Sequence, residues 1–187
     1  MLANTIFYAE VDELLNIVDR LGRLMDAVGI PYELVGGMAV FFRVRSVREE
    51  NARLTNDVDV AIRRSDLEKL RAIAPQYGFV YRHAAGIDML TDAKRRTAKG
   101  AVHFLFSGEK VRPDYLTPVP EIGKPKRIRG VRVASVEHLL QMKLTSFRLK
   151  DMTHVRDMLD VGLVTADIEA KLPEPLQERL AFIKAHE

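Results

Sequence analysis

Residues 53–62 read Arg53-Leu54-Thr55-Asn56-Asp57-Val58-Asp59-Val60-Ala61-Ile62. From Asp57 onward acid and apolar residues alternate, the period-two pattern of a strand whose two faces meet different surroundings. Side chains two apart on a strand point the same way, so Asp57 and Asp59 share one face, about 6–7 Å apart along the strand. Two carboxylates so close repel each other. A fold keeps them either with a cation between them or as the solvated face of an edge strand. Where a cation is the answer, magnesium is the natural one, because it takes hard oxygen ligands from one or two carboxylates and leaves other positions to water and phosphate.

Upstream, Tyr32-Glu33-Leu34-Val35 reads as a short strand that passes through Gly36-Gly37 into a helical run, Met38-Ala39-Val40-Phe41-Phe42. A glycine pair at that junction is either a tight turn or a point where helix N-terminal amides come close to phosphate oxygens. Before it, Phe7, Val11, Leu14, Leu15, Val18, Leu21, Leu24, Met25 and Val28 recur at helical spacing, and Gly29 stops the helix. After the strand at 57–62, Ser65 is placed to cap a helix over 66–74 with Leu67, Leu70 and Ile73 inward. Short strands are expected at 79–81, 87–90, 101–106 and 131–133. A turn is expected at 107–110, and a connection over 115–126 is broken by Pro118, Pro120 and Pro125. Ser135 caps a helix from Val136, and two more helices follow at about 151–161 and 173–185. The expected architecture is α/β (α+β): one domain over 1–187 with a small mixed β-sheet flanked by helices. Its α/β core extends to about residue 134, and a helical C-terminal part starts at about residue 135.

The 187 residues carry 29 Lys and Arg against 26 Asp and Glu, a net charge of +3, with 47% hydrophobic and 29% charged residues. This is globular composition, which excludes a disordered or collagen-like chain. With no cysteine, a disulfide framework, a thiolate zinc site and a cysteine nucleophile are excluded too. Any metal is therefore held by carboxylates, imidazoles or water. No apolar run approaches the roughly 18 residues of a membrane span, and the first residues carry acids where a signal peptide has a basic flank, so a cytoplasmic location without membrane partners is expected.

The glycine pair after a first strand, the intervening helix and the R-x-T-x-D-h-D run at Arg53, Thr55, Asp57 and Asp59 (h, apolar) resemble the signature of the nucleotidyltransferase fold superfamily, which includes DNA polymerase beta. In particular the chain looks like the minimal AbiEii-like nucleotidyltransferases of toxin–antitoxin systems, from the opening helix to about residue 162. The resemblance implies that Gly36, Gly37, Arg53 and Thr55 bind nucleotide and that Asp57 and Asp59 ligate Mg2+ or Mn2+.

The C-terminal helices add to this. Lys143 falls within the apolar stripe of Val136, Leu139, Leu140, Leu144 and Phe147, so it either snorkels outward or meets an anion. The resemblance implies that it is a catalytic, nucleotide-binding lysine facing the triphosphate. Asp151 lies about 40° from the centre of the inner face set by Met152, Val155, Leu159 and Gly162. The run Arg148-Leu149-Lys150-Asp151 resembles the family's R-x-K-D signature, in which the acid partners a buried base or belongs to the site. Active members of the superfamily usually have a further acid on a strand beside the D-h-D strand. Here that strand is Ala101–Phe106, whose one polar residue is His103. It is either a core histidine or a catalytic base or nitrogen ligand, since imidazole titrates near neutrality. Glu109 and Asp114 are acids that could substitute.

Basic residues cluster at Arg43, Arg45, Arg48 and Arg53, at Lys94, Arg95, Arg96 and Lys99, and at Lys124, Lys126, Arg127 and Arg129. They read as solvated surface, or, for the first cluster, as charges facing triphosphate or nucleic acid. The function expected is magnesium-dependent transfer of a nucleoside monophosphate from a nucleoside triphosphate to an acceptor hydroxyl on an RNA end, a protein or a small molecule. The resemblance also implies the role of a toxin held by an antitoxin. The alternative is a degenerate relative that binds nucleotide or a protein partner without turnover.

Overall fold

The computed structural model describes residues 2–53, 55, 57–94 and 100–186, the side chains of 2–11 and 51 excepted. The chain opens with α1 (Leu2–Val28), whose inward stripe buries Leu14, Val18, Leu21, Leu24 and Met25. The expected inward side chains of Phe7 and Val11 lie outside the described residues. Gly29 ends the helix at φ +68, the left-handed conformation that glycine adopts without a side-chain penalty. There follow β1 (Tyr32–Val35), α2 (Gly36–Arg45), β2 (Val58–Ile62), α3 (Leu67–Ile73), β3 (Phe79–Ala84), β4 (Ile87–Asp92) and β5 (Val102–Phe106). A hairpin, β6 (Lys126–Ile128) and β7 (Val131–Val133), leads into α4 (Val136–Ser146), α5 (Leu149–Asp160), α6 (Ala166–Ala170) and α7 (Glu174–Ala185).

The strands form one seven-stranded mixed sheet in the order β3-β4-β5-β2-β1-β7-β6. β2 runs antiparallel to β1 and parallel to β5, which places it centrally. Val58, Val60, Ala61 and Ile62 are all buried, so the alternation read at 57–62 does not mark the solvated face of an edge strand. Only the N-terminal end, with Asp57 and Asp59, is open. No helix among the described residues is long and apolar enough to cross a membrane.

Three local readings are corrected. Ser65 caps no helix: it lies within a 3-10 turn, Arg64–Asp66, and α3 starts at Leu67 behind Asp66, which makes no side-chain cap bond. Lys126 belongs to β6 and not to the connection expected over 115–126, and the strand continues through Arg127 and Ile128. Arg129 and Gly130, both at positive φ (48 and 78), make a two-residue turn between Ile128 and Val131, the geometry that tight hairpins require. The short α6, capped by Thr165, was not expected. Ser135 does cap α4, its Oγ accepting from the His138 N–H at 3.1 Å.

One buried polar contact ties the proline-rich connection to the sheet. Glu33, in β1 and only 2% exposed, accepts from the Gly123 N–H at 3.0 Å and meets His138 Nδ1 at 2.9 Å. The hydrogen bond to Glu33 holds the His138 imidazole above its ordinary pKa, against the opposing effect of burial. A raised folded-state pKa adds stability that is fully present below the unfolded value of about 6.5 and is lost as pH rises through the folded value. The denaturation midpoint of the wild type should therefore fall between pH 6 and pH 9 by more than that of His138→Gln, and equal shifts would refute this account of the latch.

Candidate functional site

The open end of β2 meets the N-terminus of α2. Val35, the last residue of β1, pairs in register with Asp59, and the chain then turns through Gly36 at φ +69. A Cβ on Gly36 would lie 2.0 Å from Asp59 Oδ2. The carboxylate thus fills the space a side chain would need, and backbone and acid are in direct contact. The Val35 side chain does not cap α2, which leaves its first amides free of a side-chain acceptor. A Cβ on Gly37 would lie 2.8 Å from Thr55 Oγ1 and 3.2 Å from His154 Cε1, so the second glycine lets Thr55 and α5 close on the same turn.

On the other side of β2, His103 of β5 is the register partner of Asp59. Its Nδ1 lies 3.4 Å from Asp59 Oδ1, with both side chains about a quarter exposed (25% and 27%). Asp59, and at longer range Asp57, hold the imidazole above its ordinary pKa, although burial opposes the shift. Neither carboxylate has a lysine or arginine partner among the described residues, His103 being the ion-pair partner of Asp59. Among the described residues no cluster of three or more His, Asp and Glu residues forms a metal cage. Two carboxylates faced by one imidazole, against a side-chain-free turn, nonetheless fit magnesium, which is usually held by one or two carboxylates and by substrate phosphates.

The facing wall comes from α4 and α5. Asp151 is fully buried and holds two cations. Lys143 Nζ donates to its Oδ1 at 2.9 Å and Arg148 Nε to its Oδ2 at 2.6 Å, while Ser146 Oγ donates to Oδ2 at 2.8 Å. These donors keep Asp151 well below the usual carboxylate range despite its burial. Lys143 therefore meets an anion, and that anion is Asp151. Between the walls lies a cleft of about 660 Å³ onto which Gly36, Asp57, Asp59, His103, Lys143 and Arg148 all open. Lys110, Arg112 and Tyr115, from the connection after β5, also line it.

No protein-family model matches the sequence, and neither does any curated protein. Solved structures do match the fold. An antigenic nucleotidyltransferase-like protein from Paracoccidioides brasiliensis superposes with a TM-score of 0.60 at 21% identity, over 94% of this chain and 89% of that one. ANT(2'')-Ia in complex with adenylyl-2''-tobramycin superposes at 0.54 with 16% identity, over 94% and 99%. The Megavirus polyadenylate synthase superposes at 0.56 with 13% identity, over 88% of this chain and 36% of that one. The chain has the nucleotidyltransferase fold.

Within that nucleotidyltransferase fold the structure sorts the remaining candidates. Gly37, Thr55 and Arg53 do not line the cleft. Arg53 turns to α5, where its Nε donates to Asp157 Oδ1 at 2.9 Å. Of its cluster, Arg43 donates to the carbonyls of Val133 and Ala134, Arg45 pairs with Glu49 and Arg48 is exposed. None of them lines the cleft. Glu109 does line it, but Arg64 Nε and Nη2 occupy its carboxylate at 2.7 and 2.5 Å, and Asp114 is exposed outside it. Neither supplies a third free acid beside Asp57 and Asp59. Lys94, Lys124, Lys126 and Arg129 are exposed surface, Arg127 pairs with Asp26, and Arg95, Arg96 and Lys99 lie outside the described residues.

The sequence reading did not single out His154, Asp157 or Tyr115. Burial, with Lys143 nearby, pushes His154 down to about 4, which keeps it neutral against the Gly37 turn. Its spacing of three from both Asp151 and Asp157 on one helix was the available signal.

Two variants test the architecture. Gly36→Ala should lower stability by at least about 1–2 kcal/mol, the cost of a left-handed L-residue, with a further loss from the overlap with Asp59, read as a shift in urea midpoint. Asp151→Asn should cost about 3–5 kcal/mol, because it leaves buried Lys143 uncompensated. An unchanged unfolding curve would contradict the pairing.

Proposed function

We propose that this protein is a magnesium-dependent nucleotidyltransferase that moves a nucleoside monophosphate from a nucleoside triphosphate to an acceptor hydroxyl. The observation that carries this reading is the contact of Asp59 with Gly36, which sets two carboxylates without a lysine or arginine partner among the described residues against the open start of a helix, inside a cleft with a cationic far wall. When bound by Asp57 and Asp59, Mg2+ or Mn2+ would supply charge neutralisation at the phosphate oxygens. The α2 amides past Gly36 would donate hydrogen bonds to phosphate oxygens, and the Lys143–Arg148 wall would face the charge that leaves with pyrophosphate. The acceptor oxygen forms a bond to the α-phosphorus as the bond to the bridging oxygen of the leaving pyrophosphate breaks. The hydroxyl proton passes to His103 when that imidazole is neutral, or to water.

The acceptor classes compatible with the reading are an RNA end, a protein side chain and a small molecule. Neighbours of the fold include a protein seen with adenylyl-tobramycin and a polyadenylate synthase, which supports nucleotide chemistry and not one acceptor. The AbiEii-like resemblance adds the proposal of a toxin restrained by an antitoxin, for which growth arrest on expression is the readout. A second reading, nucleotide binding without turnover, is favoured by one contact: His103 stands on Asp59 where active relatives usually carry an acid.

Incubation with α-labelled nucleoside triphosphates, magnesium, and RNA, protein and metabolite pools separates the two. Label transfer should fall at least about 100-fold in Asp57→Ala/Asp59→Ala, as expected when several kcal/mol of transition-state stabilisation are lost. Thermal stabilisation by nucleotide with no transfer by the wild type would favour the second reading.

A further inference from the structure

We propose that Arg148, rather than Lys143, delivers positive charge to the substrate's phosphate groups, through the guanidinium edge that Asp151 leaves free; this rests on the nucleotidyl-transfer reading above. Arg148 holds Asp151 as a fork, Nε to Oδ2 at 2.6 Å and Nη2 to Oδ1 at 3.3 Å. That contact spends one edge of the planar group. Nη1 makes no hydrogen bond among the described residues, so the Nη1–Nη2 edge remains as a second fork, the geometry that matches two phosphate oxygens.

Lys143 is in the opposite situation. Its ammonium is 2.9 Å from Asp151 Oδ1 and its side chain is 8% exposed, against 48% for Arg148. One carboxylate between two cations leaves a surplus positive charge, and the surplus emerges at the more exposed partner. Lys143 is the buried counter-charge that fixes Asp151, and Asp151 in turn aims Arg148.

The chain around Arg148 is braced for this task. Phe147 takes the left-handed conformation at φ +49 and turns α4 into α5. Its ring meets Phe182 edge-on at 6.1 Å, and Arg179 lies 4.8 Å from its centroid while donating to the carbonyls of Leu144 and Thr145. The Arg148 N–H also donates to Asp151 Oδ2, at 3.3 Å. A guanidinium held in this way loses little freedom on binding an anion. It opens onto the same cleft as Asp57 and Asp59, from the other wall. A ligand that spans the cleft therefore presents cation to the acids and anion to Arg148, as a metal–polyphosphate does.

Inorganic tripolyphosphate with magnesium is the probe, because it removes the unknown base from the question. Titration calorimetry of the wild type, Arg148→Gln, Arg148→Lys and Lys143→Met, each checked for its melting temperature, should show binding weakened about 10- to 100-fold by Arg148→Gln, as for loss of a charged hydrogen-bonded contact. Arg148→Lys keeps the charge and loses the fork, so it should fall between; it decides the matter if the glutamine variant does not fold. The salt dependence of binding should become shallower in Arg148→Gln, which a purely structural role would not cause. Wild-type binding that both Arg148 variants retain overturns this inference and leaves the transferase reading standing. Arg148-dependent binding with no nucleotide transfer to any acceptor pool sustains the inference and counts against that reading. A wild type that binds neither tripolyphosphate nor any nucleoside triphosphate overturns both.

Discussion

Asp59 and Gly36 cannot be changed independently, because the carboxylate occupies the place where residue 36 would carry a Cβ. This exclusion follows from the antiparallel register of β1 and β2, which sets Val35 opposite Asp59, and from the left-handed turn that lets α2 start at once. It brings a helix N-terminus, a carboxylate pair and, through the parallel pairing with β5, the His103 imidazole onto one end of a central strand. The apolar remainder of β2 is buried on both faces, so the strand is anchored by its core and presents its chemistry only at its open end.

The second organising feature is a separation of charge across the cleft. On the sheet side Asp57 and Asp59 have no lysine or arginine partner among the described residues. On the helix side Asp151 binds Lys143 and Arg148 and leaves a positive excess. The acids do not collapse onto these cations because each wall is fixed by its own packing: the sheet by buried strands, and the elbow between α4 and α5 by Asp151, Phe147 and Arg179. Excess charges of opposite sign held apart across a cleft are satisfied together by a ligand that is itself dipolar on that scale.

Legibility followed the range of the interactions involved. The strands around the site, the glycine junction, the Ser135 cap and the inward position of Asp151 were readable, because each depends on residues a few positions apart. Ser65 shows the weakness of a single local signal: a cap residue was present, but the chain took a 3-10 turn over Arg64–Asp66 and the helix starts only at Leu67. β6 was hidden behind proline and basic residues, since Lys126 and Arg127 gain strand character only by pairing with β7 on the sheet edge. Arg53 was read toward phosphate through the motif it belongs to, yet its nearest acid is Asp157, more than one hundred positions on. The second and third basic clusters are solvated surface where they are described, as their composition suggests, while the first is placed by its partners and not by its neighbours in sequence.

By itself the sequence determined that two carboxylates share one face of a strand beside a glycine turn, and that no cysteine can compete with oxygen for a metal. These follow from period-two geometry and from composition, which need no knowledge of the rest of the chain. Only the tertiary structure decided that the strand is central, that His103 stands against Asp59, that Lys143 is held by Asp151, and that Arg148 opens onto the cleft from the facing wall. Those outcomes depend on sheet order, register and the crossing of α4 and α5, where groups far apart in sequence compete for the same counter-charge and burial settles which contact is kept.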